Sequence, residues 1–528
     1  MVSRRILEVA APPLVVAALV IVNAWTGLMP GVGFWDTGEF QTVLPLLGTA
    51  HPTGYPTYVL VGFIANILLT PIGEPAFRIT VLSLLAVATA AGVTVLLVRR
   101  LTGSTVLGIA AGIGLALTPL VWINATRADP HTIHLAFVAI LCWALVRWED
   151  ARRGLEPGVD AKRTDRRLLL AAAIFGLAAA NHSLALLLIP AIGLFVLAVE
   201  PSIWRRGRFV LACLGVAFGT MALVYLELPL RGGLIPAAAA PVVYGRPATW
   251  DGFWYIALAE QFRGSLGNPF ADLPAKLGQL ATFANLHLGP LALLLPAAAL
   301  VTAKRAPRFM VLTGVAFAIT VLFNKAYANA DIDRYYLGPV LWAWAWIAVL
   351  AAEVGALAGW LGADVAARTR GLRADEQLIA RATPIAALAL AALLLIPSLG
   401  DLDARRRGAD RSGDTSAQRW LDEALPAIPQ NAVLVSWWST STPLWYAQHV
   451  QGLRPDIFVV DDRTMLDLGL GRAPHVIERY LAEGRPVYAI RLAGPDTEEL
   501  MARFAMTKVA SDGNTAVWAV QGVLAAAQ

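Results

Sequence analysis

Eleven apolar runs, separated by short polar connections, dominate this chain and leave few folds open to it. They lie at 9–27, 79–98, 105–122, 131–146, 168–181, 183–198, 209–226, 283–302, 309–323, 336–358 and 383–397. A helix of about 20 apolar residues rises roughly 30 Å, the thickness of a bilayer's hydrocarbon core, and satisfies its own backbone there. Of the 528 residues, 57% are hydrophobic and only 15% charged, too apolar a balance for a soluble globular chain. The expected fold is a polytopic α-helical membrane protein of about eleven transmembrane helices with outer juxtamembrane helices. Met1–Arg5 begins like a signal peptide, but the long apolar run that follows has no small-x-small cleavage site and reads as a retained first span.

Charge orients the spans. The stretch 57–70, bracketed by Pro56 and Pro71, would rise only about 21 Å as a helix and is expected not to cross. With the N-terminus inside, segments 1–8, 99–104, 147–167, 200–208, 302–308 and 359–382 carry 21 Lys and Arg, against eight in the outer loops before residue 400. Letting 57–70 span would reverse most of that bias, against the positive-inside rule. The formal charge of +5 therefore reports topology and not a nucleic-acid partner. The two cysteines, Cys142 and Cys213, both sit in apolar runs and define no disulfide framework.

This topology gathers polar residues on one outer face. They are "FWDTGEFQTVLPLLGTAHPTGYP" at 34–56 with Arg78 in the first outer loop (28–78), Asp129-Pro130-His131 with His134, Asn181-His182, the long outer loop 227–282, and "DIDRYY" at 331–336. Ionisable residues at outer helix ends suit a site working on a lipid headgroup, although such residues also anchor helices at the interface. Beyond a transmembrane domain of residues 1–399 the composition changes. "NAVLVSWW", "DIFVVDD", "RPVYAIR" and "TAVWAV" read as strands, and "STPLWYAQHVQG" and "PHVIERYLAEG" as helices, so 400–528 is expected to be an extracytoplasmic α/β domain joined through a polar linker at 401–415.

"WDTGEF…LGTAHPTGYPTY", "NHS" at 181–183, "LELPLRGG" at 226–233, "DIDRYY" and "PLWYAQHVQGLRPDIFVVD" at 443–461 resemble, in order, the DUF2723 family. That family includes TMEM260-like protein O-mannosyltransferases and belongs to the GT-C glycosyltransferases. The resemblance implies a GT-C-like fold and transfer of a sugar, mannose first among candidates, from a polyprenyl-phosphate carrier to an acceptor hydroxyl on the outer face. Two positions depart from the family pattern: its usual Glu-Val-Tyr is here Asp129-Pro130-His131, and its acidic turn before "LWY" is Trp437-Trp438-Ser439-Thr440.

An unactivated hydroxyl needs a base within hydrogen-bond reach. Asp36 is the candidate, with Glu39 one helical turn away to tune or orient it; an N-cap is the alternative role for Asp36. The leaving phosphate needs donors. His51 and Tyr55 of the first loop, Arg78, His182, Arg231, Arg334 and Tyr335 are the candidates, with Arg334 foremost because a guanidinium matches phosphate bidentately. Asp129, His131, Trp250 and Trp254 are candidates for acceptor or sugar binding; interfacial anchoring is the plainer role of the two tryptophans. A monophosphate leaving group has little need of a divalent ion, so no essential metal and no cofactor beyond the lipid-linked donor are expected. The expected partners are the polyprenyl-phosphate-sugar, a protein or glycan acceptor and membrane lipids, in the plasma membrane. A lipid-linked glycan polymerase or ligase is the alternative; a transporter ranks lower, since no related halves or midplane charges are evident.

Overall fold

The computed structural model describes residues 2–328, 331–369, 376–492, 494–512 and 515–524. The apolar runs form helices as expected. Among the described residues, eight helices are long and apolar enough to cross a membrane, and nine if one bent pair counts as a span. They include α1 (Val2–Trp25), α4 (Pro75–Thr102), α7 (Pro130–Arg152) and α10 (Gly207–Tyr225). The connection between α1 and α4 folds into α2 (Trp35–Leu46) and α3 (Pro56–Leu68), the latter too short to cross.

The eleven expected spans are not reached on length and composition, and the shortfall has two causes. The run 105–122 breaks into α5 (Thr105–Leu117) and α6 (Pro119–Ala125), bent by 66°. Pro119 forces Thr118 out of the helical region, to ψ 127°. In α8 (Ala161–Asn181) the first turns hold Lys162, Arg163, Asp165, Arg166 and Arg167, leaving 168–181 as its apolar length; α9 (Ile189–Val199) with its leading 3-10 turn from Ser183 is again short.

The membrane core is organised around the helix Leu337–Arg368, whose Trp342, Trp344 and Trp346 are all buried. Trp344 donates its indole N–H to Thr118 Oγ1 (3.0 Å) at the α5/α6 break, and Trp346 to Thr313 Oγ1 (2.9 Å); a buried indole in an apolar medium needs such a partner. The Trp344 ring lies where a Cβ on Gly114 would be, 2.3 Å from its position, so α5 can approach only through glycine.

The C-terminal domain carries a five-stranded sheet in the order β2-β1-β3-β5-β4, with β1 (Val433–Val435), β2 (Phe458–Val460), β3 (Val487–Leu492), β4 (Phe504–Asp512) and β5 (Thr515–Val523). β2, β1 and β3 run parallel; β5 is antiparallel to β3 and β4. The strands read from sequence are there, and β4 is the one not anticipated: it is an outer strand whose pattern is interrupted by irregular register at Ala505/Met506 and Lys508/Ala510. The expected linker is more than a tether. Leu402–Ala409 is helical, and its buried Arg405 donates to Leu117 O (2.9 Å) at the α5/α6 break, satisfying a carbonyl freed by the bend.

The two parts meet along α2. The helix Trp438–His449 packs against it, with Thr42 Oγ1 reaching Gly38 O (2.8 Å) and Thr442 O (3.4 Å), while Tyr446 Oη accepts from Ala76 N (3.1 Å). A Cβ on Gly38 would stand 2.1 Å from Gly33 O and 2.9 Å from Thr442 Oγ1. This close approach explains the glycine of "WDTGEF".

Candidate active site

α2 is buried from Thr37 to Leu44, with Asp36 in its first turn. Phe34, not Asp36, is its N-cap residue, so Asp36 is not a capping side chain. Instead Asp36 Oδ2 accepts from Arg334 Nη2 at 2.7 Å, joining residues 298 positions apart. Arg334 Nη1 reaches Asp129 Oδ2 at 3.3 Å, so one guanidinium bridges two carboxylates. Among the described residues Asp36 Oδ1 has no hydrogen-bond partner. Burial opposes ionisation of Asp36, but His51 and Arg334 outweigh it and hold the carboxyl below its ordinary value.

Glu39, one turn on, faces a second group. Its fully buried carboxylate accepts from His51 N (2.9 Å) and pairs with His51 Nδ1. On the far side of the imidazole, His51 Nε2 meets Tyr55 Oη at 3.2 Å. Burial disfavours a charged His51 ring, yet the Glu39 carboxylate more than compensates and raises its pKa. A protonated His51 donates from both nitrogens, which turns the Tyr55 hydroxyl into an outward donor. Burial also lifts the Tyr55 phenol well above its usual range, so it stays protonated.

A third group closes the cluster. Asp129 caps α7, accepting from His131 N (2.8 Å) and His131 Nδ1 (2.9 Å). Tyr335 stacks on His131 with centroids 5.1 Å apart, and His182 lies 4.7 Å from His131 and 5.4 Å from Tyr55. His182 Nδ1 accepts from Leu184 N (3.0 Å), which puts its proton on Nε2 in the neutral ring. Asp36, Glu39, His51, Tyr55, Asp129, His131, His182, Arg334 and Tyr335 thus form one connected cluster.

Four of the candidates lie outside it. Arg78 donates to Gly73 O (2.6 Å) and Asn66 O (3.1 Å), tying the turn between α3 and α4. Arg231 donates to Leu46 O (2.9 Å), Leu47 O (2.7 Å) and Ala238 O (2.8 Å), where its charge suits the C-terminal end of α2. Both guanidiniums are thus engaged with backbone carbonyls. Trp250 and Trp254 stack edge to face 5.5 Å apart on the outer helix Trp250–Ala257, and Trp250 is 75% exposed. One neighbour was not anticipated: Trp438 packs edge-on against His51 at 5.6 Å, from the position where the family pattern has its acidic turn. The sole signal for it in the sequence is that departure.

Residues 36–204 match the family model described as the protein O-mannosyl-transferase TMEM260 N-terminal domain. The chain is 26% identical over 458 residues to mouse (Mus musculus) protein O-mannosyl-transferase TMEM260, covering 81% of this chain and 59% of that protein, so it spans about three-fifths of the relative's length. Among solved structures it resembles ArnT from Cupriavidus metallidurans bound to undecaprenyl phosphate, with TM-score 0.61 and 16% identity over 96% of this chain and 97% of that one. It also resembles the Archaeoglobus fulgidus oligosaccharyltransferase AglB in complex with an inhibitory peptide and a dolichol-phosphate, with TM-score 0.53 and 14% identity over 92% of this chain and 69% of that one. The resemblance drawn from the sequence motifs therefore holds over the N-terminal part: residues 36–204 are TMEM260-like, and nearly the whole chain shares the fold of these two solved structures.

Proposed function

We propose that this protein is a membrane glycosyltransferase that moves a sugar, mannose in the first instance, from a polyprenyl-phosphate carrier to an acceptor hydroxyl on the extracytoplasmic face. The observation that carries this reading is the Asp36 carboxylate, held through one oxygen by Arg334 and open at the other, beside the Glu39–His51–Tyr55 chain. Asp36 Oδ1 takes the acceptor's proton as the hydroxyl oxygen attacks the anomeric carbon from the face opposite the phosphate. The anomeric C–O bond breaks with its electron pair going to the phosphate, and the sugar's configuration inverts.

Charge-assisted donors then receive the leaving oxygen. Protonated His51, acting through the Tyr55 hydroxyl, supplies one, and Arg334 supplies a second at the same end of the cluster. Because Arg334 also grips Asp36, it sets the separation between the base and the phosphate, a positioning effect worth orders of magnitude in rate. A monophosphate leaving group is served by these groups alone, so transfer is expected to persist in chelator.

Two measurements test the reading. Purified protein given polyprenyl-phosphate-mannose should release or transfer the sugar, and no turnover with any polyprenyl-phosphate-sugar would sink it. Cysteines placed at 36, 265 and 450 should react with an impermeant maleimide added to intact cells, while one at 158 should not; outside reactivity at 158 would reverse the topology.

A further inference from the structure

Between the C-terminal domain and the loops around α2 lies a cleft of about 350 Å³, with Glu39 on one wall. Trp445, Gln448 and His449 of the helix Trp438–His449 and Arg463, Thr464 and Asp467 of the helix after β2 form part of its lining, and two extended segments complete it. On one side is β2, the terminal strand of the sheet on that edge. Phe458 N donates to Ala432 O (2.9 Å) and Val460 O accepts from Ser436 N (2.8 Å), so both residues turn toward β1 and the amide and carbonyl of Val459 between them face away. On the opposite side, Val242 O accepts from Thr49 N (3.1 Å) and Tyr244 N donates to Thr49 O (3.2 Å). By the same alternation the backbone groups of Val243 face away from Thr49. Val243 and Val459 both line the cleft.

A second observation points to an absent ligand. Asp461, at the end of β2, is fully buried and also lines the cleft. Its Oδ1 caps the following helix, accepting from Thr464 N (2.8 Å) and Thr464 Oγ1 (2.5 Å), while its Oδ2 has no partner among the described residues. A buried carboxylate oxygen left unpaired is costly unless a donor arrives. Burial pushes this carboxyl up to about 6, in keeping with that deficit. Arg463 bounds the cleft, packed over the rings of Tyr244 (5.1 Å) and Tyr255 (4.7 Å) and paired with Asp467.

We propose that this cleft is the acceptor site, and that it takes an extended polypeptide segment bearing a serine or threonine, paired along the outward edge of β2 and hydrogen-bonded to Asp461. The inference rests on the transferase reading above; a polypeptide acceptor is already implied by the relative's description, and what is added is where and how the segment is held. A segment added to a sheet edge gains main-chain hydrogen bonds irrespective of its side chains, and every second side chain points the same way. With Glu39 on the wall, that alternation can present a hydroxyl toward the first turn of α2 at a fixed register. A glycan offers no comparable row of amides.

The test uses full-length protein in nanodiscs, polyprenyl-phosphate-mannose as donor, and synthetic twelve-residue peptides with a single threonine. Each peptide is also made in two N-methylated forms, blocking alternate amides on one or the other edge. Methylation in one register should raise the peptide KM by roughly tenfold or more, the loss expected from hydrogen bonds at an edge, and the other register should have little effect. Asp461→Asn, which retains the cap, should raise peptide KM by a similar factor, and an unchanged peptide KM in that variant would remove Asp461 from the site. Equal KM values for both methylated forms and the parent peptide would overturn the edge pairing. Donor cleavage with no transfer to any peptide would overturn the polypeptide acceptor while leaving the transferase intact. Absence of donor cleavage by the wild type would overturn the parent reading, and this inference with it.

Discussion

Asp36→Asn separates catalysis from architecture more cleanly than any other change at this site. In the wild type, two carboxylates share Arg334, at 2.7 Å from Asp36 and 3.3 Å from Asp129. Asparagine keeps the size and still offers an oxygen to Arg334 Nη2, and Asp129 still pairs with the guanidinium, so what is lost is one charge in a largely buried pair, about 1–3 kcal/mol. Relief of the repulsion between Asp36 and Asp129 offsets part of that, and because Phe34 is the N-cap, no capping bond is lost. Folding and donor binding are therefore expected to survive. The chemical step loses its base, a fall of about 100-fold or more, which corresponds to roughly 2.7 kcal/mol of transition-state stabilisation. The assay is single-turnover transfer from radiolabelled polyprenyl-phosphate-mannose, with donor affinity and melting temperature measured on the same preparation. A folded, donor-binding Asp36→Asn protein that turns over near the wild-type rate would refute the assignment. A parallel loss of donor affinity would instead give Asp36 a ground-state role.

Arg334→Lys replaces a fork that spans two carboxylates with a point charge, so both positioning and donor affinity should suffer; unchanged donor affinity and turnover would reduce Arg334 to packing. Gly38→Ala drives a methyl against Gly33 O and Thr442 Oγ1, an overpacking that costs about 1–3 kcal/mol and should speed proteolysis within 401–415, whereas wild-type resistance there would mean the two parts are not held through α2. The raised Asp461 carboxyl has a definite sign: folded, it holds a proton that the unfolded chain gives up, so its contribution to stability falls as pH rises from about 4 to about 6 and then levels off. Asp461→Asn should therefore raise the melting temperature at pH 7.5, by a stabilisation of order 2 kcal/mol, and leave it nearly unchanged at pH 4; no difference between the two pH values would show that Asp461 is not destabilised by burial. His51, a base, runs in the same direction: its pKa is raised, so the charged pair with Glu39 is complete below the ordinary histidine value and is lost as pH climbs through the raised one, and transfer should fall on that alkaline side. A flat alkaline profile would remove His51 from the donor set.

What could be read from sequence follows the range of the interactions concerned. Helices in an apolar solvent are specified by local composition, so the long runs were legible, and Pro119 carries the physical reason one of them bends. The strands β1, β2, β3 and β5 show as compact β-branched stretches between turns, while β4 mixes Lys508, small residues and irregular pairing and gives no such pattern. Site chemistry was legible as residue type: carboxylates, imidazoles and guanidiniums gathered at the ends of apolar helices have few reasons to be there. Their partners were not, because Asp36 meets Arg334 across 298 residues and Glu39 meets His51 across a loop, and no periodicity encodes those distances. Arg78 and Arg231 look identical to Arg334 in sequence, and only the folded chain shows them donating to backbone carbonyls.

The arrangement also bears on why the helix that carries the proposed base is so short and so buried. α2 contributes Asp36 and Glu39 from one face and packs the helix Trp438–His449 through Gly38 and Thr42 on another. The same C-terminal helix supplies Trp438 against His51. Arg231 of the long outer loop holds the C-terminal carbonyls of α2, and Thr49 beyond it pairs with Val242 and Tyr244 of that loop. The C-terminal helix, that loop and, through Asp36, Arg334 therefore fix one twelve-residue helix, too short to be stable by itself. Rigid support of this kind is what a base requires if its free oxygen is to stay within hydrogen-bond reach of an incoming hydroxyl. It also ties the geometry of the base to the seating of the C-terminal domain, so a change that loosens that domain should slow transfer even where it touches none of the ionisable residues.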